Sequence, residues 1–172
     1  MSSASAQQPP AGSVITHPNR EKAIVQSTRA TVILLLLVSA ILILVITIGG
    51  GEVLATSSIG IEIFFVGVYM LLAFFAGRWN RGVLPVASGL AVLLIIFALT
   101  GAPAWFARNG TGFTQPTLNA GLLGLLTLLV IPLQVLLVAF AMRGFQQGWN
   151  VEVEQRGGAG EMEYGGPTPH PA

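Results

Sequence analysis

The sequence predicts an all-α, polytopic membrane protein: a bundle of four transmembrane helices flanked by disordered N- and C-terminal segments. Three observations carry that expectation. Hydrophobic residues make up 53% of the 172 residues and charged residues only 9%, where a soluble domain carries about 25% charge. So few charges cannot clothe a surface facing water, so lipid must cover much of the chain. Four apolar runs stand at 31–49, 59–77, 83–100 and 118–142, each close to the roughly 20 residues that cross a bilayer core as helix. Finally, the basic residues fall almost entirely on one side of those runs.

Residues 1–17, rich in Ser, Ala, Gln and Pro, have too little apolar content to build a core and are expected to be disordered. Pro18 suits the first turn of a helix, where its missing N–H costs nothing. Residues 18–30 carry Arg20, Lys22 and Arg29 and predict a basic juxtamembrane helix leading into the first span. That span, 31–49, is rich in β-branched residues. A strand averages only about 5–6 residues, and lipid admits only helices or closed barrels. The run also lacks the apolar–polar alternation of a barrel strand. It is too long for a signal-peptide core and some 30 residues precede it, so it is expected to remain as a span. Gly49, Gly50 and Gly51 end it.

The second span is 59–77 and the third 83–100, with Pro85 in the tolerant first turn. The fourth, 118–142, is long enough to cross with tilt. Pro132 lies in its middle and is expected to kink it, freeing the Leu128 carbonyl. The tail 143–172 loses hydrophobicity and turns Gly- and Pro-rich, so it is expected to be mostly disordered.

Seven basic residues (Arg20, Lys22, Arg29, Arg78, Arg81, Arg143 and Arg156) flank one side of the four runs, and Arg108 alone flanks the other. The positive-inside rule then places both termini and the 78–82 link in the cytoplasm, and the 50–58 turn and 101–117 loop outside. A plasma membrane is the expected location. Trp79, Trp149 and Trp105 fall just past span ends, where indole rings anchor at headgroup depth.

Glu62 is the single residue charged at neutral pH within a predicted span. Buried carboxylates are costly in lipid and mark ion or proton sites. Its place three residues into the second span also suits a shallow, snorkelling side chain at a helix N-terminus. Gln134, two residues after Pro132, reads either as interhelical glue or as a polar spot on a substrate path. Small residues recur four apart at Ala73 and Gly77, Ala87 and Ala91, Ala120 and Gly124, which permits close helix approach. In the tail, Trp149, Val151 and Val153 alternate with Asn150, Glu152 and Glu154. That period-two pattern reads as a partner-binding extended segment, or as an anchor followed by loose chain.

The composition excludes much chemistry. With no cysteine and no aspartate, disulfide exchange, thiol nucleophiles and thiolate metal sites are ruled out. The two histidines, His17 and His170, lie in the polar ends, so no span offers a haem ligand or a histidine base. We therefore expect no enzyme, no cofactor and no bound metal. A net charge of +1 without a basic cluster speaks against a nucleic-acid partner. The lipid bilayer is the expected partner, with protein partners in a membrane complex or a homo-oligomer. The sequence favours a non-catalytic accessory or scaffold subunit. The alternative is a small oligomeric transporter or channel with Glu62 as its intramembrane acid.

Overall fold

The structure, a computed structural model, describes residues 13–16, 22–149 and 153–156. Its body is four helices: α1 (Ala23–Gly50), α2 (Thr56–Gly77), α3 (Val83–Arg108) and α4 (Ala120–Gln146). All four are long and apolar enough to cross a membrane, as the sequence predicts for a multi-pass membrane protein. Two short strands, β1 (Ser13–Thr16) and β2 (Val153–Arg156), pair antiparallel, with Ser13 opposite Arg156 and Thr16 opposite Val153. These lie within segments whose composition predicts disorder. Pairing the two chain ends lets each satisfy backbone groups that neither could satisfy alone.

α1 is the central helix. In its most apolar window 56% is buried inside the bundle, twice the 28% of α2. It packs against both α2 and α4, and α4 packs along α3, so the spatial order is α2–α1–α4–α3. α2 and α3 are joined by the short 78–82 link, yet they meet only sparingly. The start of α1, the 78–82 link and the end of α4 gather at one end, here called the basic end.

Small residues set the close contacts. On α3, Leu84, Ala87, Ser88, Ala91, Leu94, Ala98, Ala102 and Trp105 form one buried face at three- and four-residue steps. A Cβ added at Gly124 would lie 2.9 Å from the Phe106 ring, so glycine there lets α3 and α4 approach. Gly51, in the left-handed region at φ +53°, turns the chain out of α1. Gly49, two residues earlier, accepts a backbone hydrogen bond from Leu118 at 2.9 Å, tying the α1 end to the start of α4. There Asn119 caps α4 by accepting from the Leu122 N–H.

Several elements differ from the sequence reading. α3 does not stop near Thr100; it runs on through Gly101 and Pro103 to Arg108. Pro103 leaves the Leu99 carbonyl without its helical donor, but Ala102 and Trp105 are buried, and that burial keeps the helix going. Trp105, read from the sequence as an interfacial anchor, therefore packs inward. α4 passes uninterrupted through Pro132.

Trp149 also turns inward. Gly148 adopts φ +59° and folds the chain back, so that Trp149 is fully buried. The indole sits over Gly144, edge-on to Trp79 with centroids 5.9 Å apart, and its Nε1 donates to Gln147 Oε1 at 3.3 Å. Trp149 is thus no part of an extended run, while Val153 stands in β2, which pairs with β1 of the same chain. Val151 lies outside the described residues.

Candidate functional site

Away from the basic end, α2 and α3 leave a cavity of about 430 Å³. All four helices and the α1–α2 connection contribute to its wall, which is mostly apolar. Ile43 and Ile46 come from α1, Phe65 from α2, Leu94 and Trp105 from α3, and Val130 from α4. Phe65 meets Phe97 edge-on at 5.9 Å, bridging α2 and α3 at this level. The polar lining is sparse: Ser58 and Glu62 from α2, Thr100 and Arg108 from α3, and Thr127 from α4. Few polar groups in an apolar concavity is the usual make-up of a small-molecule site.

Glu62 is partly enclosed by its own bundle. α2 begins at Thr56, so Glu62 lies nearly two turns into the helix and half-buried. Its Oε2 is 2.5 Å from Thr47 Oγ1 on α1. Thr47 Oγ1 also lies 2.8 Å from the Ile43 carbonyl. One hydroxyl carries one proton, so two arrangements satisfy the trio. An ionised Glu62 accepts the threonine proton. A protonated Glu62 donates its own proton to Thr47, whose hydroxyl then donates to Ile43. Neither state leaves the Glu62–Thr47 contact without a proton, which matters where an unpaired polar group is costly.

Gln134 is not part of this cavity. It is fully buried and closes a hydrogen-bonded chain across three helices. Its Oε1 accepts from Tyr69 Oη on α2 at 2.9 Å, and its Nε2 donates to Ser39 Oγ on α1, also at 2.9 Å. Ser39 in turn donates to the Leu35 carbonyl at 2.7 Å. The three bonds run in compatible donor–acceptor senses, forming a clasp that holds α1, α2 and α4 together. Glu62 and Gln134, the two polar residues singled out within the spans, therefore do different work.

Thr127, Trp105 and Arg108 in the cavity wall, Thr47 behind it as the partner of Glu62, and Tyr69 and Ser39 at the clasp carry no motif that marks them. One signal was available: Ser39 and Thr47 lie eight residues apart, hence on one face of α1. That face meets both Gln134 and Glu62. Comparison of the chain with protein-family profiles, with curated proteins and with solved structures finds no match.

Proposed function

We propose that this membrane protein is a non-catalytic, carrier-type binder of amphipathic cations, with the α2–α3 cavity as its chamber and Glu62 as its intramembrane acid. The observation that supports this most is that the half-buried carboxylate lies in the wall of a ligand-sized apolar cavity. The apolar walls suit a hydrocarbon body, and ionised Glu62 suits an amine. Thr47 accommodates both protonation states of the carboxyl, as exchange of a proton for a cation requires. Arg108 also lines the chamber; its like charge repels a cation, which places the ligand's cationic group at Glu62 and away from Arg108. By the seven-to-one charge asymmetry, we place the basic end in the cytoplasm and the cavity mouth on the outer side of a plasma membrane.

The accessory-subunit reading drew on the segment starting at Trp149. Burial of that indole inside its own bundle takes away the aromatic anchor a partner would grip. The carrier reading is therefore preferred.

The test is binding of a fluorescent lipophilic amine to the full chain in nanodiscs. Ala104, exposed on the cavity wall, is replaced by phenylalanine to occupy the chamber. Ala104→Phe is expected to weaken amine binding about tenfold, roughly 1.4 kcal/mol, with the unfolding midpoint unchanged. Equal binding by the filled and unfilled proteins would refute the chamber.

A further inference from the structure

A second site stands at the basic end, independent of the cavity and of the carrier reading. Trp79, just past the end of α2, is the one non-glycine residue with positive φ among the described residues, at φ +63°. Residues other than glycine and asparagine are rarely held in that conformation unless their surroundings impose it. Here the indole is held from two directions. The Arg29 guanidinium carbon from α1 lies over its ring at 4.1 Å, and Trp149 meets it edge-on. Beside this stack lies a groove lined by Gln26, Arg29, Ile33, Leu34, Leu37 and Trp79. The α1 positions recur at three- and four-residue steps, so they form one stripe. From Arg29 to Leu37 that stripe runs about 12 Å along the helix, polar and cationic at the top and apolar below.

We propose that this groove binds one anionic phospholipid, its phosphate on Arg29 and one acyl chain along Ile33, Leu34 and Leu37. Charge selects the occupant. Arg29, Arg78, Arg81 and Arg143 all belong to this end of the bundle. Both carboxylates whose side chains the structure describes, Glu52 and Glu62, belong to the other end. With its carbon over the indole face, the Arg29 guanidinium keeps a planar fork of N–H donors, the group that grips a phosphate through paired bonds. Basic pockets between membrane helices are suited to anionic headgroups, and the apolar stripe gives the same molecule a place for its tail. The strained backbone of Trp79 then serves to set the ring that positions Arg29.

The experiment is native mass spectrometry of the full, detergent-purified chain titrated with dioleoyl phosphatidylglycerol or dioleoyl phosphatidylcholine. The first phosphatidylglycerol is expected to bind about fivefold tighter than phosphatidylcholine. Arg29→Gln should abolish that preference, Arg29→Lys should keep part of it, and Arg143→Gln should keep it all. Trp79→Gly removes the ring while suiting the left-handed backbone, so it tests the site without adding strain, and it too should lose the preference. Millimolar inorganic phosphate should not displace the lipid. Arg29→Gln and Trp79→Gly proteins that retain the wild-type preference would overturn the proposal, as would equal binding of the two lipids or displacement by free phosphate.

Discussion

Replacing Gln134 with alanine is expected to cost the bundle about 3 kcal/mol of stability, measured by steric-trap or detergent-titrated unfolding in bicelles. Two effects add. Loss of the bonds to Tyr69 and Ser39 removes about 0.6 kcal/mol each on the membrane average. Truncating a side chain with no exposure at all leaves a cavity that neighbouring helices cannot fully close, as in large-to-small core substitutions worth about 2–5 kcal/mol. Gln134→Met separates the two, because it keeps the volume and loses only the bonds. Its cost should be about 1–2 kcal/mol. Tyr69→Phe should overlap with it, so the double variant loses less than the sum of the singles. Leu129→Ala, at a residue 55% exposed on the same helix, is the control. A Gln134→Ala protein no less stable than that control would show that the clasp does not hold the helices.

Glu62→Gln is expected to lower affinity for a lipophilic amine by about ten- to a hundredfold and to leave the fold intact. A unit charge pair at about 4 Å gains about 4 kcal/mol at an effective dielectric constant of 20, and desolvation of both groups takes back a large part. Glutamine can still hydrogen-bond Thr47, so stability should move little. The sign of the pH effect follows from the chemistry. A cation pairs with the ionised carboxyl, so wild-type affinity should rise with pH through the titration of Glu62, and the Glu62→Gln protein should lack that rise. Equilibrium dialysis across a pH series reads both effects. A Glu62→Gln protein with wild-type affinity and the same pH profile would remove the acid from the mechanism.

The four spans were legible because lipid imposes a simple requirement: long apolar runs with few charges, which composition reveals directly. Element ends were less legible where burial competes with local preference. The third apolar run reads as ending at Thr100, yet α3 continues through Gly101 and Pro103, where Ala102 and Trp105 are buried. The tail pattern at Trp149–Val153 pointed to an extended piece starting at the indole, but Gly148 folds Trp149 back into the bundle first. For the candidate site, Glu62 stood out as the lone charge in a span. Its partner did not, since that depends on α1 lying beside α2. Likewise Gln134 was visible as a polar residue, but Tyr69 and Ser39 are 65 and 95 positions away. Helix order decides such pairings, and apolar spans of similar composition do not encode that order in any local pattern.

The cavity is most directly tested by thiol accessibility, for which a chain without cysteine gives no background. Thr127→Cys places a thiol on the α4 wall of the chamber. Ala91→Cys places one in the packed interior, at a fully buried position that does not line the chamber. Only a thiol that meets water ionises and reacts. With a membrane-impermeant, cationic methanethiosulfonate applied outside intact cells, the Thr127→Cys protein should react far faster than the Ala91→Cys protein. A lipophilic amine should protect the chamber thiol, and adding Glu62→Gln should slow its labelling. Labelling of the Thr127→Cys protein only after permeabilisation would reverse the orientation and keep the chamber. A chamber thiol as inert as the interior one on both sides of the membrane, or one that the amine leaves unprotected, would contradict a water-reachable cation chamber at Glu62.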